Sequence, residues 1–218
     1  ALQRPDLLII DCCGPASYAR HHIPGAVALA PTDLQSGMQP APGSLPSVEK
    51  LTLMFSRLGL TAEQHVVAYD AEGGGWAGRL AWTLDVLGHS RWSLLNGGLV
   101  AWANEGWPLS DEPVPTTTSS FSARLHLESM ADLDTVLASL EREDSAIWDA
   151  RSAEEYRGER RAAARSGHIP GAINIDWLEL MDTSRNLRLR DAEWLRRHLP
   201  DRGLTPHREI ITHCQTHH

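Results

Sequence analysis

The apolar positions fall into two alternating kinds of run. Leu7-Leu8-Ile9-Ile10 is continuously apolar, ends at Asp11 and meets Gly14-Pro15, which predicts a strand buried on both faces. His65-Val66-Val67-Ala68-Tyr69-Asp70 predicts a second strand and Trp92–Leu95 a short third. Between them Leu51, Met54, Phe55 and Leu58 recur at helical spacing behind Ser47, a residue type suited to an N-cap. Leu80, Trp82, Leu84 and Leu87 mark an apolar helix, and Asn96-Gly97-Gly98 turns into a last one around Trp102. The alternation resumes further on. Leu133, Val136, Leu137 and Leu140 predict a helix with one apolar face, and Ala146-Ile147-Trp148-Asp149 a strand. Asp191 caps a helix that turns Trp194, Leu195 and Leu199 inward, and Glu209–Thr212 is a strand that delivers Cys214. Strands alternating with helices indicate an α/β fold with mainly parallel sheets flanked by helices.

The pattern is a duplication. His22-Ile23-Pro24-Gly25-Ala26 recurs as His168-Ile169-Pro170-Gly171-Ala172, and Leu58-Gly59-Leu60-Thr61 corresponds to Arg202-Gly203-Leu204-Thr205. The offset of about 145 residues suits two tandem domains, not a solenoid. Pro108–Ser120 is rich in Pro, Thr and Ser and reads as the connection. The expected division is residues 1–110 as a first domain, 111–120 as linker and 121–218 as a second. The first copy runs about 40 residues beyond Asp70, whereas the second stops four residues after Cys214. A polypeptide trimmed at both ends, with part of the second domain missing, is the expectation.

Composition narrows the function. The 218 residues carry a formal charge of −8, with Lys50 the only lysine, so neither nucleic acid nor a membrane surface is expected as a partner. No apolar run reaches membrane-spanning length and no secretory signal opens the sequence. Of the three cysteines, Cys12 and Cys13 are adjacent, which gives no disulfide framework. A monomer in a reducing, cytoplasmic compartment is expected.

Aligning the copies places Cys214 where the first copy has Asp70, so only the second carries a thiol at its strand end. The carboxyl end of a parallel strand is where α/β folds place their chemistry, and turn N–H groups there favour a thiolate. A buried structural cysteine is the plain alternative, disfavoured by the polar Gln215-Thr216-His217-His218 that follows. His213, Cys214, His217 and His218 make an awkward tetrahedral set, so no metal and no cofactor is expected. His22 and His168 read as turn punctuation, since Pro fixes and Gly frees the adjoining backbone. Asp11 and Asp149 are expected to bond to backbone or Arg, and Cys12 and Cys13 to be inert core thiols. Arg157, Arg161 and Arg165 could face an anionic substrate, or be solvated charge. Trp177 could wall a cleft, or simply pack.

Two Asp-ending strands, two His-Ile-Pro-Gly-Ala motifs and a Cys in the second strand-end loop alone resemble the tandem-domain rhodanese family. Cys214-Gln215-Thr216-His217-His218 is similar to the active-site loop of its bacterial thiosulfate sulfurtransferases, and Asp149-Ala150-Arg151-Ser152 and Glu155-Tyr156-Arg157-Gly158 fit the catalytic domain. The resemblance implies that Cys214 takes a sulfane sulfur from thiosulfate as a persulfide and passes it to cyanide or another thiophile. It implies that Gln215, Thr216, His217 and His218, with Arg157 and Trp177, bind substrate or persulfide. Such loops continue with an Arg after the paired histidines, a position beyond His218. A 3-mercaptopyruvate sulfurtransferase is the nearest alternative, but its loop is usually Cys-Gly-rich. A Cys-based phosphatase would need Cys-x5-Arg. A persulfide carrier module serving partner proteins is the alternative from another class.

Overall fold

The computed structural model describes Arg4 and residues 6–161 and 165–214. They form two compact units, Ala1–Ser129 with Thr183–Arg188, and Met130–Asp182 with Leu189–His217.

In the first unit the strands β1 (Leu7–Asp11), β2 (Val27–Ala28), β3 (His65–Tyr69) and β4 (Trp92–Leu94) form a parallel sheet in the order β2-β1-β3-β4. The apolar run of β1 has the composition of a strand covered on both faces. Leu8 and Ile10 point to one cluster with Leu51, Phe55, Leu80 and Leu84, and Ile9 points to another with Ile23, Tyr69 and Leu99. The helices α2 (Val48–Leu58), α3 (Gly75–Val86) and α4 (Gly98–Asn104) supply Leu51 and Phe55, Leu80 and Leu84, and Leu99, whereas the short α1 (Pro15–Tyr18) buries none of its residues. Each fully buried Leu, Ile or Phe contributes roughly 1.5–3 kcal/mol relative to exposure. Ser47 caps α2, its side chain accepting from Lys50 N, and Gly59 ends the helix in a left-handed conformation at φ 81°.

The stretch expected to be a linker runs along this unit. Ser119 Oγ donates to Leu60 O, Ser119 N to Ser56 O, and Ser56 Oγ to Phe121 O. Phe121 meets Phe55 with ring centroids 5.5 Å apart, and Ala123 is buried. Residues 111–120 are thus held in place by backbone bonds and aromatic contact, and the unit continues to Ser129.

The second unit repeats the plan with less buried surface. The strands β5 (Ser145–Asp149), β6 (Ile173–Asn174) and β7 (Glu209–His213) pair in parallel in the order β6-β5-β7. Three helices belong to it, α5 (Leu133–Ser139), α6 (Ala153–Arg157) and α7 (Ala192–Asp201). Asp191 caps α7 through Trp194 N, as Ser47 caps α2. Leu199 packs on the cluster of Ala146, Ile175 and Leu204, whereas Trp194 and Leu195 are only half-buried. The predicted apolar face of α5 is largely exposed, with Leu133 at 70% and Leu137 at 53%. Helical spacing shows that one side of α5 is apolar but not what lies against it. The helix is anchored at its end instead, where Ser145 Oγ donates to the carbonyl of Ser139.

Among the described residues no helix is long and apolar enough to cross a membrane.

Candidate active site

In the second sheet β5 and β7 run in parallel to a common end. Asp149 of β5 lies beside His213 of β7, and Ala150 N donates to His213 O, so hydrogen bonding continues to the residue before Cys214. Cys214 is half-buried at the carboxyl end of β7. Gln215, Thr216, His217 and His218 lie outside the described residues.

Asp149 is fully buried and the Arg151 guanidinium grips it at two points, Nε to Oδ1 at 2.8 Å and Nη2 to Oδ2 at 2.5 Å. Arg151 N also donates to Oδ1, and Nη2 to Gly167 O at 2.9 Å. A planar fork on a carboxylate is the strong form of this pairing. Burial pushes the Asp149 carboxyl up, but the hydrogen bonds from the side chain and backbone of Arg151 outweigh it, leaving the group below its ordinary value. His213 Nε2 stands 3.5 Å from Oδ2 of the same carboxylate.

The turn after β5 is pinned from other sides. Asn174 Nδ2 donates to the carbonyls of Asp149 and Arg151, and Trp177 N to that of Ala150. Ser152 and Glu155 form a reciprocal capping box at the start of α6. Trp177 is therefore attached to the turn that carries Arg151, and is half-buried. Arg157 is at the exposed end of α6, where Nε and Nη2 bond the carboxylate of Glu159. The Arg151 guanidinium is held protonated chiefly by its hydrogen bond to Asp149, with Cys214 among the lesser contributors. In the sequence Arg151 stands two residues after Asp149, a carboxylate expected to bond to backbone or Arg, within the motif Asp149-Ala150-Arg151-Ser152.

The first copy shows the same framework with different chemistry. Asp11 Oδ2 accepts from Tyr69 Oη at 2.6 Å and Oδ1 from Cys13 N at 2.7 Å. Tyr69 corresponds to His213, and Cys13 to Arg151. Asp70, 1% exposed, fills its own loop: Oδ1 accepts from the backbone N–H groups of Glu72 and Gly74, and Oδ2 from that of Ala77, all at 2.9 Å. Gly73 and Gly74, at φ 94° and 109°, allow the chain to coil around the carboxylate. The strand-end loop of the first copy thus converges N–H donors on a carboxylate. Cys12 is fully buried and Cys13 partly so; burial and then the charges of Asp11 and Asp70 push both thiols far above the ordinary range. Neither thiol is suited to nucleophilic chemistry.

The two motif histidines have equivalent structural partners. His22 Nδ1 is 2.8 Å from Tyr18 O and its ring stacks on Tyr18 at 3.8 Å. His168 repeats both contacts with Tyr156, at 2.8 and 3.7 Å, and each Tyr hydroxyl donates to the Ala carbonyl of the adjoining motif. Turn punctuation accounts for both.

The rhodanese-like domain pattern matches residues 1–105 and 132–218. The chain is 48% identical over 217 residues to a thiosulfate sulfurtransferase of Azotobacter vinelandii and 44% identical to one of Pseudomonas aeruginosa; all of this chain and 79% of each relative are covered. It superposes on the solved structure of a 3-mercaptopyruvate sulfotransferase of Escherichia coli with a TM-score of 0.87 at 29% identity, covering 97% of this chain and 83% of that one. With two matched domains and relatives this close, the chain belongs to the rhodanese-like family.

Proposed function

We propose that the protein is a thiosulfate sulfurtransferase with Cys214 as its nucleophile. The observation that carries this reading is the position of Cys214. It is the thiol at the strand end of the second copy, where the first copy holds the Asp70 carboxylate in a ring of backbone N–H groups.

The reaction is a double displacement. The Cys214 thiolate attacks the outer sulfur of thiosulfate, the S–S bond breaks and sulfite leaves with its electron pair. The persulfide then gives its outer sulfur to a thiophile. Cyanide would take it as thiocyanate and restore the thiolate. Backbone N–H groups of Gln215, Thr216, His217 and His218 are assigned to the persulfide anion. Trp177 and Arg157 are assigned to the substrate side, Arg157 by exchanging Glu159 for the thiosulfate anion. Sequence similarity to the thiosulfate-named relatives exceeds that to the 3-mercaptopyruvate enzyme, which favours thiosulfate as donor. A monomer in a reducing, cytoplasmic setting suits three free thiols.

Steady-state cyanolysis of thiosulfate tests the proposal. Cys214→Ser should abolish turnover and the gain of about 32 Da that one sulfur atom adds to the intact protein, while Cys12→Ser and Cys13→Ser should retain both. Replacing thiosulfate by 3-mercaptopyruvate separates the two donors. A protein that gains the sulfur but does not turn over with cyanide would be a carrier.

A further inference from the structure

Two differences separate the site frameworks of the copies besides Cys214 itself. The residue two after the strand-ending Asp changes from Cys13 to Arg151, and the residue opposite that Asp changes from Tyr69 to His213. In the first copy burial, and after it the charges of Asp11 and Asp70, hold the thiols beside the strand-ending Asp protonated. Asp11 is buried and is bonded by a neutral hydroxyl and a backbone N–H. Its negative charge is among the causes that push Cys12 and Cys13 away from ionisation. Asp149 has the same buried position next to β7, one residue from the end that carries Cys214. Left alone it would oppose a thiolate there in the same way, because like charges in a poorly solvated site disfavour each other's ionised form.

We propose that Arg151 is a positioning residue for sulfur transfer, neutralising the buried Asp149 carboxylate and fixing the strand end so that Cys214 can react as an anion. The arrangement matches the task. The guanidinium lies flat on the carboxylate with two bonds, its side chain is only 11% exposed, and a further bond to Gly167 O fixes the third side. Such an ion pair is screened little by solvent. Among the described residues, His213 on β7 and Glu155 on α6 are the other charged or titratable groups facing it besides Cys214. Glu155 is engaged in the capping box with Ser152. The Asp149–Arg151 pair is thus close to neutral as a unit. A carboxylate held this way also orients the 149–151 turn that carries Trp177 and receives Asn174.

This rests on Cys214 being the nucleophile, so the test reads that sulfur directly. Carbamidomethylation of Cys214 by iodoacetamide, in which the thiolate displaces iodide, is followed by peptide mass spectrometry from pH 5 to 10 in the full chain. Arg151→Gln should raise the pH midpoint and slow alkylation about ten-fold at a fixed pH below it, the effect of losing one close opposite charge. Arg151→Lys should sit between, keeping charge without the fork. The double variant Asp149→Asn/Arg151→Gln should return toward the wild-type midpoint, a rescue that a merely structural role would not give. If Arg151→Gln does not fold, Arg151→Lys takes its place: a midpoint raised above wild type and restored in the double variant supports the proposal, and a Lys midpoint equal to wild type overturns it. An unchanged midpoint in Arg151→Gln, or a double variant with its midpoint as high as the single one, would overturn the proposal. Failure of the functional reading is distinguishable: Cys214→Ser would then retain turnover, whatever the alkylation profile shows.

Discussion

Asp70 and Cys214 hold the same register position in the two sheets, each the first residue beyond the strand that pairs with the Asp-ending strand. In the first copy that position carries a carboxylate that accepts from three backbone N–H groups. In the second it carries the thiol of Cys214, the proposed nucleophile.

Asp70→Asn separates these roles. The carboxamide keeps one oxygen but turns an NH2 toward a backbone N–H, leaving a buried donor without an acceptor, at a cost of about 1–3 kcal/mol. Thermal denaturation should show the loss, while turnover of thiosulfate and cyanide stays within a few-fold. A loss of turnover as deep as that of Cys214→Ser would place the chemistry in the first copy.

Tyr69→Phe tests the neutral framework of that copy. Tyr69 Oη donates to Asp11 Oδ2 and accepts from Ile23 N at 3.1 Å, in a setting where burial, and then Asp11, hold the phenol protonated. Removing the hydroxyl leaves a buried carboxylate oxygen and a buried N–H short of partners, about 1–3 kcal/mol. Urea titration should show a lower midpoint with an unchanged slope, since the amount of surface exposed on unfolding stays the same.

What could be read in the sequence is what is decided locally. Ser47 and Asp191 cap their helices because an oxygen-bearing side chain reaches the N–H three residues on whatever surrounds it. The Asp-ending strands and the position of Cys214 follow from apolar runs and an internal repeat. The grip of Arg151 on Asp149 was not legible as such, because Arg157, Arg161 and Arg165 offered equal charge, and only pairing of β5 with β7 brings one guanidinium near Cys214. Nor was the Asp70 ring, since Glu72, Gly74 and Ala77 contribute main-chain atoms that carry no side-chain signature. The stretch at 111–120 has a linker's composition, and the bonds of Ser119 and the ring contact of Phe121 depend on Leu60 and Phe55 far away in sequence.

The contrast between α2 and α5 is testable with leucines. Leu51 is fully buried under the first sheet, whereas Leu133 is 70% exposed on a helix of the same apolar spacing. Leu51→Ala should cost about 2–5 kcal/mol through lost burial and a cavity. Leu133→Ala should change stability by no more than about 0.5 kcal/mol. Equal losses in a denaturant series would mean that something covers α5 in solution.

His89 gives the first unit a pH dependence whose sign can be worked out. The residue is 6% exposed and its main chain is tied to Leu84 O. Burial lowers its imidazole below the ordinary value, assisted by the charge of Arg91 and opposed by hydrogen bonds to the backbone at Arg91 and Gln64. The unfolded chain therefore takes up a proton near pH 6.5 that the folded one resists. Stability from the neutral ring is complete above about pH 6.5 and is lost as pH falls from there toward the folded value. His89→Gln, neutral at every pH, should narrow its stability gap to the wild type as pH falls from 7 to 5, by up to about 1.4 kcal/mol per pH unit for one proton. Urea midpoints at pH 8, 7, 6 and 5 supply the measurement, and a gap that stays constant across that range would exclude His89 as the titrating group.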